Sequence, residues 1–342
     1  MKLKYRLSLG FICTILVTLL IVLTPSISKA DTVHKVKPKL LYQLKRLKPR
    51  VVQQSTVNGS HVYVLQKYFE DSIITEAKKP RHGKKINFSA HKQLILKNFG
   101  HTQTWAYAGK KQWFVGCSPK QSENFQFDIE LARITFPKHK KIIKNKKSLP
   151  RLINLNAASD EPSTSGIRRS EATISPNRKW LLIATVDNDQ NGHFAIYDLN
   201  QINSALDEAS KKADKSVDLK EIKPLDAFHI DHFYGKNYDQ LESLQGYAID
   251  NHKNIYISRE VKPLTINSTF PREIVKIPWK ATDYSNWVHY KINHPSWKKV
   301  ATELEGLEIS GKNINLTVAF HKRNKTHRTF ANNIYRIKNI VK

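Results

Sequence analysis

The sequence predicts an all-β protein, a five-bladed β-propeller with about four strands per blade and a short helix in one connection. The first observation is a pattern that occurs five times: an amide or carboxylate residue, a short apolar stretch, a turn and a strongly apolar strand. Its copies are spaced by 49, 68, 74 and 60 residues, and they begin at Gln54, Gln103, Glu171, Gln245 and Glu305. Repetition of a strand hairpin at such spacings is typical of propellers and repeat arrays.

The second observation is the turn chemistry inside each copy. Each turn carries a residue that favours a tight hairpin, namely Gly59, Gly109, Pro176, Asn251 and Gly311. Glycine and asparagine tolerate the positive φ that tight hairpins require, and proline fixes a turn-compatible φ. Five hairpins are therefore expected, one in each repeat.

The third observation is that two further strands accompany each hairpin. Residues 71–76, 127–134, 194–197, 273–277 and 333–337 form one set, and residues 40–47, 93–96, 149–155, 225–230 and 287–292 form the other. Four strands make one propeller blade. The strand at 40–47 precedes the first hairpin, so we expect it to complete the last blade beside the C-terminal strand and leave no free sheet edge.

One segment departs from the strand pattern. Residues 201–213 place Ile202, Leu206 and Ala209 at helical intervals, with Asn203 as the expected N-cap. We predict a short helix there, in a connection between blades.

The N-terminus has the pattern of a secretion signal. Basic residues precede an apolar run at 11–23, and the segment ends on Ser28-Lys29-Ala30. We predict a signal peptide at 1–30, cleavage after Ala30 and a single propeller domain at 31–342 of an extracellular protein. An uncleaved anchor is the alternative, but the apolar run is shorter than the roughly 20 residues that span a bilayer.

The chain is strongly basic, with 57 Lys and Arg against 29 Asp and Glu and a formal charge of +28. Export argues against a nucleic-acid partner, so the expected partners are teichoic acids, anionic lipids or a surface receptor of another cell, with peripheral membrane contact and a monomeric protein. The basic loops are solvated surface or anion contacts. The anion-binding candidates are Lys138, Lys140, Lys141, Lys144, Lys146, Lys147, Lys322 and Arg323.

The leading residues of the five repeats are candidates for the lining of the central channel. Gln54, Gln103, Glu171, Gln245 and Glu305 would form a ring of hydrogen-bonding side chains. Such a ring could bind water, an ion or a sugar hydroxyl. The alternative is structural, because buried amides and carboxylates near an axis also tie neighbouring blades together.

Cofactors are not expected, but two metal alternatives deserve a test. Asp187, Asp189, Asn191 and Asp198 match part of the ligand spacing of a calcium loop. A polar hairpin explains the same residues without metal. The histidine pairs 229/232 and 321/327 could bind zinc, although no further ligands with metal spacing stand nearby.

The sequence offers no catalytic constellation. It contains no serine elbow, HExxH, P-loop or Cys–His nucleophile motif. Cys117 would be the mature chain's one cysteine, so no internal disulfide is expected. Most of the six tryptophans are expected in the core, whereas Trp297, which lies beside two lysines, is the best candidate for an exposed ligand or membrane contact.

Several long motifs resemble one family. They are FGHTQTWAYAGKKQWFVG (99–116), LARI (131–134), SLQGYAID with IYIS (243–258), KIPW (276–279) and ELEGLEIS with LTVAFH (303–321). The chain resembles helveticin J and its relatives, the large heat-labile class III bacteriocins of lactobacilli, over about residues 51–337. The resemblance implies a secreted protein that kills related Gram-positive bacteria through envelope damage. It assigns no catalytic residues, and not every relative carries a signal peptide. A wall hydrolase or lyase on a propeller, or a non-toxic wall-binding adhesin, stays open.

Overall fold

Five sheets are arranged as blades around a central axis in the computed structural model, which describes residues 32–119, 127–235, 241–260, 272–297, 300–322 and 328–341. The predicted five-bladed propeller is thereby confirmed. The segment 1–30, predicted as a signal peptide, lies outside the described residues, as do Arg323 and His327.

In chain order, the described elements are β1 (Thr32–Val36), β2 (Lys39–Lys45), β3 (Val52–Asn58), β4 (His61–Tyr68), β5 (Asp71–Lys78), β6 (Lys85–Asn87), β7 (Gln93–Leu96), β8 (Trp105–Gly109), β9 (Gln112–Pro119), β10 (Asp128–Thr135), β11 (Lys141–Ile143), β12 (Arg151–Ile153), β13 (Ile167–Ile174), β14 (Trp180–Asp187), β15 (Gly192–Asp198), α1 (Leu199–Ser210), β16 (Ser216–Asp218), β17 (Asp226–Ile230), β18 (Tyr247–Ile249), β19 (Ile255–Arg259), β20 (Glu273–Ile277), β21 (Val288–Ile292), β22 (Ala301–Ser310), β23 (Asn313–His321) and β24 (Thr329–Ile337). Short 3-10 helices occupy Lys146–Ser148, Leu155–Ala157, Leu219–Glu221, Tyr284–Asn286 and Pro295–Trp297.

Each blade has four antiparallel strands, ordered from the axis outward. They are β3-β4-β5-β7 in blade 1, β8-β9-β10-β12 in blade 2, β13-β14-β15-β17 in blade 3, β18-β19-β20-β21 in blade 4 and β22-β23-β24-β2 in blade 5. Four blades also carry a fifth, parallel strand on the outer edge: β11 on blade 1, β16 on blade 2, β1 on blade 4 and β6 on blade 5. Each of these strands belongs to the segment that leads into the outer strand of the following blade, so it covers an edge and links two blades.

The ring closes as the sequence predicts. β2 pairs antiparallel with β24, from Lys39 opposite Arg336 to Leu44 opposite Asn332. The N-terminal part of the chain thus supplies the fourth strand of blade 5. The side chain of Asn332 adds a second link, because its Oδ1 accepts a hydrogen bond from the Val52 backbone at 3.0 Å.

The alternation of strands gives the molecule two distinct faces. The lower face carries the turns between the first and second strands of each blade, at 58–61, 109–112, 174–180, 249–255 and 310–313. The upper face carries the turns between second and third strands, and the connections from each outer strand to the next blade. These two names are kept below.

The core consists of apolar clusters between neighbouring blades. Trp105 and Trp113 stack between blades 1 and 2, with ring centroids 4.8 Å apart. The expectation for Trp297 is wrong: it is 1% exposed and packs edge-on against Tyr335 at 4.8 Å. The 3-10 turn at Pro295–Trp297 directs the indole into the cluster between blades 4 and 5. The two lysines that follow Trp297 in the sequence had suggested an exposed position instead.

The predicted helix is present, but its cap differs. α1 begins after Asp198, whose Oδ1 accepts hydrogen bonds from the Asn200 and Gln201 backbones at 2.8 and 2.9 Å. Asn203 instead lies one turn inside the helix and accepts a hydrogen bond from Arg133 Nη1 at 3.0 Å. The helix is thereby bound to blade 2. Among the described residues, no helix is both long and apolar enough to cross a bilayer.

Candidate functional site

The five leading repeat residues converge on the propeller axis. Glu171 and Glu305 lie within the innermost strands of blades 3 and 5, and Gln103 and Gln245 immediately precede those of blades 2 and 4. Glu305 is 1% exposed, and Gln245 is the one member of the five that is only half-buried. Hydrogen bonds connect Gln103, Glu171, Gln245 and Glu305 into one network, and Gln54 bonds the Leu307 carbonyl beside it.

Gln103 is the hub of this network. Its Nε2 donates to Glu305 Oε2 at 2.7 Å and also to Gln245 Oε1. Its backbone N–H donates to Glu171 Oε2 at 3.0 Å. The Gln103 side chain thus contacts blades 4 and 5, and its backbone N–H contacts blade 3.

Arg169 supplies the positive charge at the centre, and the sequence analysis missed it. Its guanidinium donates to Gln103 Oε1 at 2.6 Å, to Glu171 Oε1 at 3.2 Å and to the Leu244 carbonyl at 2.5 Å. The available signal was strand alternation, because residues two apart on a strand share a face and Arg169 precedes Glu171 by two. The centre is therefore an ion pair within an amide network.

The two central carboxyls have raised pKa values. Burial raises the pKa of Glu171, and the neighbouring Arg169 and Thr104 oppose this shift. Burial raises the pKa of Glu305 well above its usual range, and the nearby Glu303 raises it further. Desolvation disfavours the charged form of both groups. The positive charge of Arg169 opposes this rise in pKa at both carboxyls.

Polar side chains tie each neighbouring pair of blades near the axis. Thr56 donates to the Trp105 carbonyl at 3.1 Å, Ser170 to the Asp128 carbonyl at 2.8 Å, and Ser258 to the Glu305 carbonyl at 2.6 Å. Arg169 joins blades 3 and 4, and Gln54 Nε2 donates to the Leu307 carbonyl at 3.0 Å to join blades 1 and 5. This arrangement supports the structural interpretation of the five leading residues; their role in ligand binding stays a prediction.

Two glycines allow the innermost strands to approach closely. A Cβ at Gly246 would lie 2.5 Å from the Gly306 Cα, and one at Gly306 would lie 1.5 Å from Gln54 Oε1. Both glycines directly follow a leading residue, in the pairs Gln245-Gly246 and Glu305-Gly306. The glycines therefore permit the contact between blades 4, 5 and 1 at the axis.

Below the network, the channel widens into a cavity of about 200 Å³ that faces the lower side. All five blades contribute to its wall, including Thr56, Tyr107, Ile174, Tyr247 and Glu308. Burial raises the pKa of Glu308 to about 7. Its carboxylate accepts hydrogen bonds from the Val57 backbone at 2.8 Å and from Asn315 at 3.0 Å. Glu308 thus titrates near neutrality but already has two protein donors.

Beside the network, aromatic and basic groups pack against one another. Arg169 lies 4.5 Å from the centre of the Phe127 ring, which stacks on His101. His101 shares a hydrogen bond of 2.6 Å with Gln53. Burial lowers the pKa of His101 to about 3, so this imidazole is neutral at physiological pH.

The anion-binding candidates do not form one patch. Lys138, Lys140, Lys141, Lys144 and Lys147 are exposed and Lys146 is half-buried, all on the outer rim where β11 pairs with blade 1. Lys322 is exposed on the upper face of blade 5, at the end of β23. The two groups are therefore separate surfaces.

The four calcium candidates do not surround one point. Asp187 accepts hydrogen bonds from the Asn191 backbone at 2.8 Å and from His193 at 3.0 Å, while Asp189 is exposed. Asp198 lies at the opposite end of the β14–β15 hairpin, roughly 20 Å away at the usual strand rise. Its carboxylate caps α1. A calcium ion held by all four oxygens does not fit this geometry.

Two of the histidine candidates lie beside carboxylates, and His229 is near two of them, since Asp231 lies 3.9 Å from its Nε2. His229 lies 3.1 Å from Asp160, and His321 lies 3.0 Å from Glu303. His232 is exposed, with φ at 51°. Within the described part of the chain, no group of three His, Cys, Asp or Glu residues could hold a metal ion.

Comparison with known proteins decides the family. The model of the family described as bacteriocin helveticin-J matches residues 32–341. The chain belongs to the helveticin-J family. It is 34% identical over 319 residues to bacteriocin helveticin-J of Lactobacillus helveticus, which covers 84% of this chain and 92% of that protein. The resemblance of the sequence motifs to this family is thus confirmed.

Solved structures that match this chain do so at low similarity. A thermostable family-43 glycoside hydrolase matches at 9% identity and a TM-score of 0.47, over 86% of this chain and 91% of the other. The α-L-arabinofuranosidase PaAbf62A of Podospora anserina matches at 10% identity and a TM-score of 0.43, over 91% and 98%. At these values the matches carry no argument about activity.

Proposed function

We propose that this protein is a secreted bacteriocin that kills related Gram-positive bacteria by binding the target envelope and damaging it. The observation that carries the proposal is membership of the helveticin-J family over the whole propeller. The basic N-terminal segment with its apolar run at 11–23 supports export. The envelope partner is anionic: teichoic acid, anionic lipid or a charged surface receptor.

The distribution of charge supports an anionic partner. Bases outnumber acids by 57 to 29, and many described acids are already neutralised within the fold. Glu171, Glu260 and Glu273 are buried and paired with Arg169, Arg272 and Arg259. The surplus cations, such as Lys138, Lys140 and Lys144, are exposed. A rigid body with this surface is attracted to polyanions at long range.

The central network supports a binding protein more than a hydrolase. A glycosidase needs two carboxyls at a set separation across an open cleft, one of them free to donate a proton. Glu171 accepts from Gln103, Thr104 and Arg169, and Glu305 accepts from Gln103. These carboxyls hold blades together, so we place the killing activity on the outer surface.

The test is a killing assay with the secreted form of the protein on several lactobacilli and other Gram-positive bacteria, read together with a membrane-potential dye. We expect killing that coincides with depolarisation. The control is the same protein after thermal unfolding, which keeps the charge but loses the folded surface. Release of wall sugar or peptide before depolarisation would assign a hydrolase instead, and wall binding without killing would assign an adhesin.

A further inference from the structure

Three segments of the chain meet on the upper face where the ring closes. They are the connection 46–51 from β2 to β3, the turn that follows β4, and the end of β23 with the beginning of β24. They belong to blades 5 and 1, which are neighbours because β2 joins β24. We call the exposed residues of this area, Arg46, Lys48, Arg50, Phe69, Arg328 and Phe330, the seam patch.

A basic cavity lies in the part of the seam patch that Arg46, Lys48, Arg328 and Phe330 form. Its volume is about 330 Å³, and its lining includes Lys45, Arg46, Lys48, Lys322 and Arg328 but no acidic residue. Among the residues that the structure describes, none of these five cations has a carboxylate within ion-pair distance. This contrasts with the buried Arg133, Arg151 and Arg169, which pair with acids. The cavity thus presents concentrated positive charge with no internal counter-charge.

The connection that carries these charges is held in place by buried amides. Gln66, 2% exposed, donates from Nε2 to the carbonyls of Lys48 at 3.1 Å and Arg50 at 2.9 Å. Asn332, 4% exposed, donates to the Arg50 carbonyl at 3.0 Å. The side chains therefore project from a fixed backbone, which lowers the entropic cost of binding.

Exposed aromatic rings stand beside the cations. Phe69 is 68% exposed and Phe330 is 55% exposed, the first at a positive φ of 54°. Lys48 Nζ lies 4.1 Å from the centre of the Tyr68 ring, and the Arg50 guanidinium lies 5.5 Å from that of Phe69. A bulky residue at positive φ is uncommon, and here it places an apolar ring in solvent next to positive charge.

We propose that the seam patch docks this protein on an anionic phospholipid bilayer, with lipid phosphates bound at the cavity and both phenylalanine rings at the headgroup boundary. Phosphate oxygens match Arg46, Lys48 and Arg328 in charge. Phe69 and Phe330 have no hydrogen-bonding atom, so they match an acyl boundary better than a hydroxyl-rich glycopolymer. The inference rests on the proposed function insofar as the bilayer is that of the target cell.

The first test measures binding of the secreted protein to vesicles of phosphatidylglycerol and phosphatidylcholine, compared with phosphatidylcholine alone. The triple variant Arg46→Gln, Lys48→Gln, Arg328→Gln should bind anionic vesicles on the order of 100-fold more weakly. The matched control is Lys212→Gln, Lys220→Gln, Lys223→Gln, which removes the same charge from exposed positions after α1. Equal losses in both variants, or no preference of the unsubstituted protein for phosphatidylglycerol, would overturn the proposal.

The second test places a polarity-sensitive NBD label at Phe69→Cys and, as control, at Leu225→Cys. Leu225 is 57% exposed and precedes the outer strand of blade 3, and the native Cys117 is fully buried and will not react. Anionic vesicles should shift the emission at position 69 to the blue and leave position 225 unchanged. The same shift on addition of a soluble glycerol-phosphate polymer without lipid would overturn the bilayer as partner.

The two proposals fail separately. If the unsubstituted protein kills cells but seam-patch substitutions leave vesicle binding intact, the bilayer inference is wrong and the bacteriocin proposal stands. If vesicle binding depends on the seam patch but no strain is killed, the seam-patch inference stands and the proposed function is wrong.

Discussion

At the residue scale, the centre of the molecule is a problem of buried charge. Glu171 and Glu305 are nearly inaccessible, and Arg169 is the cation in direct contact with Glu171. Removing one partner of a buried pair costs more than the pair itself contributes, because an uncompensated charge is left behind. The stability of the polar network at the axis therefore depends on Arg169.

Arg169→Met should lower the free energy of unfolding by about 3–5 kcal/mol, because Glu171 loses its guanidinium partner. The double variant Arg169→Met, Glu171→Gln should recover part of this loss, because the amide oxygen can still accept from Gln103. Urea unfolding measures both values. The control is Arg178→Met at an exposed turn of the lower face. Reduced killing at unchanged stability would contradict a structural role and favour ligand binding at the axis.

The pKa of Glu308 gives a pH prediction with a definite sign. Burial raises it from 4.5 to about 7 in the folded protein. Between these values the folded state holds a proton that the unfolded state has lost. The contribution of Glu308 to stability is therefore complete below pH 4.5, and it falls by at most about 1.4 kcal/mol per pH unit up to pH 7.

Glu308→Gln should remove this dependence. Because glutamine resembles the protonated carboxyl, we expect the stability of the unsubstituted protein, relative to that of the variant, to fall from pH 5 to pH 8 in urea-unfolding experiments. Glu208→Gln, at an exposed position of α1, is the matched control. A difference that stays constant across this range would mean that the Glu308 carboxyl does not change protonation there.

The sequence could predict the leading residues of the repeats but not their partners. Residues such as Gln103 and Glu305 stand out because a Gln or Glu precedes every hairpin, and such a recurrence is visible in one sequence. Arg169 occurs in a single repeat, and its contact with the Leu244 carbonyl joins residues 75 positions apart. The prediction for Trp297 was wrong for the same reason, since the burial of its side chain depends on Tyr335 across a blade interface.

At the element scale, local patterns predicted the strands well because each blade strand carries its own apolar alternation. The short parallel strands β1, β6, β11 and β16 were not predicted. Each has only three to five residues, and its pairing depends on a neighbouring blade. The position of α1 was predicted, but its cap was assigned to Asn203 instead of Asp198.

Substitutions at Asp198 can distinguish a helix cap from a calcium ligand. Asp198→Ala should cost about 1 kcal/mol, because two backbone N–H groups lose their acceptor. Asp198→Asn should be nearly neutral, because asparagine caps helices as well as aspartate. Thermal unfolding in the presence of calcium and of EDTA tests the alternative that Asp198 binds calcium. If calcium stabilises the unsubstituted protein and Asp198→Asn removes that effect, Asp198 is a metal ligand in addition to a cap.

At the scale of the whole molecule, closure of the ring and surplus charge act together. Closure by β2 and β24 brings the chain's N-terminal and C-terminal parts into one blade, and the same junction creates the seam patch. The sequence gives the net charge but not its placement, because residues 46–50 and 322–328 are nearly 280 positions apart. The structure separates the rim lysines at 138–147 from the cations of the seam patch.

The surplus charge predicts a steep salt dependence of envelope binding. The Debye length falls from about 10 Å at 0.1 M salt to about 3 Å at 1 M, which screens exposed cations but hardly affects the buried Arg169–Glu171 pair. Binding to isolated envelopes should therefore weaken at least tenfold between 0.05 M and 0.5 M NaCl, and killing should weaken with it. Urea unfolding at both salt concentrations is the control, and we expect it to be similar because the central ion pair is shielded from solvent. Binding and killing that do not change across this range would show that a surface receptor is recognised without electrostatic attraction, and the anionic partner would then be wrong.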